Sequence, residues 1–170
     1  MKNKISYILL ILFATQFSVA QEKEPKSLSD LLKMYNERSV PYISVQELAM
    51  PKTNAIILDA REIKEYNVSH IKNTIYVGYE DFQIDSVQKK LPNKDSQIVV
   101  YCSLGIRSED VAEKLKKAGY INVFNLYGGI FEWKNNGFKV YDSINTVTEN
   151  VHIFSKEWSK WLTKGEKVYE

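Results

Sequence analysis

Cys102 is the residue whose type and setting point most directly to chemistry. It closes the apolar run Gln97-Ile98-Val99-Val100-Tyr101 and opens the loop Ser103-Leu104-Gly105-Ile106-Arg107, which leads into a helix-forming segment from Ser108. In an open α/β sheet, ligands bind beyond the carboxyl ends of strands. A tight loop at such an end turns successive backbone N–H groups inward and forms an anion-binding nest at a helix N-terminus. The same N–H groups and the helix dipole favour thiolate over thiol. Gly105 supplies backbone freedom for the turn, and Arg107 adds a fixed positive charge. A free cysteine is often an inert buried residue; the loop context argues against that here.

Cys102 is the single cysteine of the chain, so no intramolecular disulfide can form and a Cys-rich zinc site is excluded. The two histidines, His70 and His152, and the dispersed acids show no metal-ligand spacing. Neither a metal nor a cofactor is expected. The formal charge of +2 gives no electrostatic case for nucleic acid binding. With 170 residues, 44% hydrophobic and 26% charged, the chain suits one well-cored domain.

The first residues read as an address. Met1-Lys2-Asn3-Lys4 is basic, Ile5 to Phe13 is almost wholly apolar, and Ser18-Val19-Ala20 supplies small residues before a cleavage point. This is the layout of a secretory signal peptide over residues 1–20, cut after Ala20, which predicts a periplasmic or secreted protein. The apolar stretch falls short of the ~20 residues that span a bilayer, so no stable membrane span is expected after cleavage. Cleavage removes Lys2 and Lys4 from the 23 basic side chains and none of the 21 acidic ones, so the remainder is balanced.

The elements that would position Cys102 follow an alternating pattern. Residues 21–40 read as a polar lead-in followed by a helix from Ser27 to Arg38, with Leu28, Leu31, Leu32 and Tyr35 at helical spacing and Ser27 or Ser29 as N-cap. Ser44 to Glu47 has capping-box spacing. Strands are predicted over Ala55–Asp59, Thr74–Val77, Gln97–Cys102 and Asn122–Leu126. Helices are predicted over Arg61–Tyr66, Phe82–Leu91, Ser108–Ala118 and Ile130–Asn135. Alternating strands and helices predict a parallel sheet flanked by helices. The continuous apolar runs Ile56–Leu58 and Ile98–Val100 fit strands buried on both faces.

With these pieces in order, residues 43–141 resemble a single rhodanese domain, and residues 41–142 are assigned to it. Asp59-Ala60-Arg61, Glu65-Tyr66 and Ser69-His70-Ile71 resemble the family's D-x-R…E-(Y/F)…G-H-I signature, with Ser69 in place of Gly. Cys102 to Ser108 resembles its active loop. Gly119-Tyr120-Ile121-Asn122-Val123, Leu126, Gly128-Gly129-Ile130, Trp133 and Gly137 resemble its closing pattern. The resemblance implies sulfur transfer: Cys102 takes the outer sulfur of a small donor such as thiosulfate as a persulfide. It then passes that sulfur to cyanide or a thiol, including a thiol on another protein. It also implies that the amides of Ser103, Leu104, Gly105, Ile106 and Arg107 hold the transferred sulfur. Arg107 would bind an anionic donor or favour the thiolate, and Asp59, Arg61 and Ser108 would support the site. Ser103 and Leu104 stand where many members carry polar or basic residues, and Leu104 makes the loop mouth more apolar.

Two other readings compete. Cysteine phosphatases use C-x5-R; here Arg107 makes C-x4-R, a shorter loop that suits a sulfur atom better than a tetrahedral phosphate. A non-catalytic sulfide-sensing or protein-binding module is the other, and the retained cysteine argues against it. Asp59, Arg61 and Glu65 are read chiefly as fixing local geometry or pairing with each other, and His70 as a turn residue bonded to backbone. Nothing around His152 suggests a role. In residues 143–170, Phe154, Trp158, Trp161 and Leu162 form an aromatic amphipathic stretch, read as a helix packed on the domain.

Overall fold

The structure is a computed structural model and describes residues 24–169. The proposed leader at 1–20 lies outside the described residues. Five parallel strands form the central sheet: β1 Tyr42–Ile43, β2 Ile56–Asp59, β3 Ile75–Tyr76, β4 Ile98–Tyr101 and β5 Val123–Leu126, in the order β1-β5-β4-β2-β3. β4 lies at the centre, and all four of its residues are buried. Successive side chains of a strand face opposite ways. Ile98 and Val100 accordingly join one apolar cluster, with Leu58, Val111 and Leu115. Val99 and Tyr101 join the other, with Leu31, Leu126 and Ile130. Both faces are therefore covered, as a parallel sheet requires.

The helices are α1 Leu28–Tyr35, α2 Val45–Leu48, α3 Ile63–Val68, α4 Ile84–Lys90, α5 Arg107–Lys117 and α6 Gly129–Asn135. The predicted α/β alternation is present, with ends displaced by a few residues. Ser27 is the N-cap of α1, its hydroxyl accepting the Asp30 N–H at 3.1 Å, and the Ser44–Glu47 capping box is formed. α1 stops at Tyr35, three residues before the predicted end, and Arg38 beyond it has a left-handed φ of 58°. Among the described residues no helix is long and apolar enough to cross a membrane.

The tail differs from expectation. Instead of a packed α-helix, residues 140–168 form a two-residue hairpin, β6 Val140–Tyr141 with β7 Val147–Thr148. After it, β8 Asn150–His152 pairs in parallel with β9 Glu166–Val168. Only Glu157–Trp161 between them is helical, as a short 3-10 segment. Isolated short helices are costly to nucleate, and the backbone here finds partners elsewhere. Asn135 Nδ2 donates to the Trp161 carbonyl at 2.8 Å, and its Oδ1 accepts the Thr163 N–H at 2.7 Å. Leu162 is buried in the main core, while Trp158 and Trp161 are packed against it.

Candidate active site

β4 delivers Cys102 to the carboxyl end of the sheet, and α5 begins five residues later. The first N–H groups of a helix lack intrahelical partners, so the loop joins the sulfur to a donor-rich helix end. Sγ accepts the Gly105 N–H at 3.1 Å, and the Ser108 hydroxyl lies 3.5 Å away. The loop is clamped from two sides. Asn125 on β5 donates to the Gly105 carbonyl at 2.8 Å and accepts the Ser108 hydroxyl at 2.7 Å. Asn36, just after α1, donates to the same Gly105 carbonyl at 2.8 Å. From behind, the N–H groups of Ile130 and Phe131 bond to the carbonyls of Cys102 and Ser103 at 2.9 and 3.2 Å. Gly129 makes that approach possible: a Cβ there would sit 2.2 Å from the Cys102 carbonyl oxygen.

The loop's charge is already matched. Arg107 donates Nη1 to Glu65 Oε2 at 2.7 Å and Nη2 to Glu65 Oε1 at 2.8 Å. Ser103 Oγ donates to the same carboxylate at 2.9 Å, and the Glu62 N–H at 3.0 Å. Burial works against the charged carboxylate, but Arg107, then Arg61 and the Glu62 N–H, outweigh it and hold Glu65 down at about 2. Burial opposes the Arg107 cation as well, and the Glu65 carboxylate, together with the nearby Cys102 sulfur, overcomes it and raises its pKa. The guanidinium also lies over the rings of Tyr79 and Phe154, 5.9 and 4.6 Å from their centroids. Arg107 is thus an anchored cation: its pairing with Glu65 leaves less of its charge for an anionic donor, while it stays close enough to Cys102 for their charges to interact.

Asp59 and Arg61 form a separate buried pair at 2.7 Å. The Tyr101 hydroxyl donates to Asp59 at 2.5 Å, and Arg61 donates to the Ser69 carbonyl at 2.6 Å. Asp59 and Tyr101 are register partners on β2 and β4, so this cluster ties the strand ends together. Neither charge lines the cysteine pocket. His70 stacks on Tyr66 at 4.1 Å with Nδ1 3.2 Å from the Tyr66 carbonyl, a local arrangement.

A cavity of about 200 Å³ opens onto Cys102. Ser103, Leu104, Ile106 and Arg107 line it from the cysteine loop, and Tyr35, Phe154 and Trp158 supply the rest. Sequence reasoning did not bring Asn36, Asn125 or the three aromatics to the site. Asn125 left a signal, being the polar residue in the otherwise apolar strand Val123–Leu126; the aromatics left none, since their approach depends on chain paths far from Cys102.

The fold and the loop define a class. The rhodanese-like domain family model matches residues 44–136. The chain belongs to the rhodanese-like domain family. It is similar to the thiosulfate sulfurtransferase GlpE of Coxiella burnetii (strain RSA 331 / Henzerling II), with 30% identity over 97 residues, 57% of this chain and 87% of that one. It also matches the tRNA uridine(34) hydroxylase of Aster yellows witches'-broom phytoplasma (strain AYWB), 33% identical over 103 residues, 54% of this chain and 32% of that protein. The chain therefore spans about a third of the length of such hydroxylases. The rhodanese-like domain of the Anabaena Alr3790 protein superposes with a TM-score of 0.56 at 26% identity, over 62% of this chain and 82% of that one. This kinship supports an enzyme-like role of the sulfur-transfer type.

Proposed function

We propose that the chain moves a sulfane sulfur from a small donor, such as thiosulfate, to a thiol or cyanide acceptor through a Cys102 persulfide. The observation that carries this reading is the Cys102 sulfur on the Gly105 N–H at 3.1 Å, in the lining of a cavity and at the loop that leads into α5. The thiolate attacks the donor's outer sulfur. A bond forms between Sγ and that sulfur, the donor's sulfur–sulfur bond breaks with its electron pair, and sulfite leaves. An acceptor then takes the outer sulfur, and the Sγ–sulfur bond breaks to return the thiolate. Splitting the transfer this way gives ping-pong kinetics. Loop N–H groups, Gly105 foremost, stabilise the charge on the bound sulfur. Ser108 acts beside Sγ, and Asp59 and Arg61 act only through the strand ends. The basic, apolar and small-residue order of residues 1–20 supports export to the periplasm or beyond, where a protein thiol is also a fitting acceptor.

Intact mass spectrometry after thiosulfate treatment tests this. Wild type is expected to gain one sulfur and to lose it to added cyanide, while Cys102→Ser gains none. Folded wild type that gains no sulfur from any sulfane donor would favour a sensing or binding module instead.

A further inference from the structure

Three aromatic side chains complete the Cys102 cavity, and all three lie outside the family-matched residues 44–136. Tyr35 ends α1; Phe154 and Trp158 belong to the tail, and the Tyr35 and Trp158 rings meet at 5.7 Å. Phe154 is held in place rather than merely present. Its backbone has a φ of 58°, a left-handed conformation that bulky residues rarely adopt. Its N–H donates to His152 Nδ1 at 3.1 Å, and the next N–H, of Ser155, folds back to the Ile153 carbonyl. Unfavourable backbone conformations of this kind persist where the surroundings over-determine them, ligand clamps among them. The result is a phenyl ring over Arg107, on a residue that lines the cavity and stays 54% exposed.

The charges point the same way. Arg107 is the one cationic side chain among the described residues lining the cavity, and Glu65 already matches it. A small dianion entering here would shed water and meet only a cation that Glu65 already matches, which is costly. A dry apolar cavity of about 150 Å³ is enough to take up benzene, and this one has about 200 Å³.

We infer that Tyr35, Phe154 and Trp158 are specificity-determining residues that select an organic sulfane donor with an uncharged, ring-sized apolar body over inorganic thiosulfate. The inference rests on the sulfur-transfer reading and adds the substrate class. For an organic thiosulfonate, the Cys102 thiolate takes the outer sulfur and the sulfur–sulfur bond breaks. The sulfinate leaves with the electron pair, its apolar body having lain against the aromatic walls. No oxidant or reductant is needed.

The test compares thiosulfate, methanethiosulfonate and benzenethiosulfonate as donors. Single-turnover rates of sulfur gain on Cys102 are read by quenched intact mass spectrometry, each divided by that donor's rate with free cysteine. The two thiosulfonates carry equal charge, so their ratio isolates the ring. Wild type is expected to favour the benzene donor over the methane donor by about tenfold or more, since even one methylene in a fitted pocket is worth roughly 10–200-fold. Thiosulfate is expected to be the slowest. Phe154→Ala and Trp158→Ala are expected to bring the ratio towards one, and Phe154→Leu to an intermediate value. A wild-type ratio near one, a faster thiosulfate reaction, or a ratio untouched in folded variants overturns the inference and leaves sulfur transfer standing. Sulfur gained from none of the three donors overturns both. If a variant fails to fold, the wild-type ratio still decides.

Discussion

Glu65 is where the charges around the cysteine loop converge, and it makes the site sensitive to acid. Its side chain is fully buried and receives Arg107, Ser103 and the Glu62 N–H. Its carboxyl is held at about 2 in the fold, against an ordinary value of 4.5. A carboxyl with a lowered folded pKa adds stability that is whole above its unfolded pKa and is lost as the pH falls through the folded one. The window here runs from about pH 4.5 down to about 2, and the contribution is about 3 kcal/mol. Glu65→Gln is expected to lower the urea-unfolding free energy at pH 7, and the gap to wild type is expected to shrink as the pH drops through that window. A constant gap from pH 5 to 2.5 would refute the assignment. At this scale Cys102 and Arg107 were legible from their place at a strand end. The partner of Arg107 was not, because Glu65 lies some forty positions upstream and only the pairing of β2 with β4 brings its segment to the loop.

Among the elements, α6 does the least visible work and has a sharp constraint. Its first residues lie directly behind the cysteine loop, and Gly129 has a φ of 55°. Gly129→Ala would place a methyl 2.2 Å from the Cys102 carbonyl oxygen, a contact backbone cannot yield without moving the loop. Left-handed strain and overpacking together are expected to cost about 2 kcal/mol or more. Urea unfolding reads that cost, and slower sulfur uptake by Cys102 reads the displaced loop; a neutral substitution would mean the loop tolerates another path. The main α/β elements were legible because strands buried on both faces appear as unbroken apolar runs, Ile98–Tyr101 above all. The two-residue strand β1 and the pairs β6–β7 and β8–β9 are too short to show a period. The tail misled for a specific reason. Phe154, Trp158, Trp161 and Leu162 do recur at helical spacing, but Phe154 sits in a bend after β8, Trp158 and Trp161 in a short 3-10 segment, and Leu162 just past its end.

For the molecule as described, α1 and the tail are structural parts of the domain and not appendages. Val151, Ile153 and Leu162 from the tail are as buried as the sheet, in the same cluster as Leu31, Val99 and Phe131. β8 also packs on α3, the helix that carries Glu65, so the tail braces both the pocket wall and the carboxylate behind the loop. Truncation after Asp142 removes these three buried side chains and opens the core they cover. Full burial of one such side chain is worth about 1.5–3 kcal/mol, so the loss is several kcal/mol before any exposed partner is counted. At about 2–4 °C per kcal/mol for a domain of this size, the midpoint of thermal unfolding is expected to fall by roughly 10 °C or more, with aggregation of the exposed face. Circular dichroism melts of the truncated and full chains check this. An unchanged midpoint would show that the central sheet is self-sufficient and that the tail's burial contributes to the pocket alone; a large drop places stability and substrate access in the same segment, residues 143–170, so that neither can change without the other.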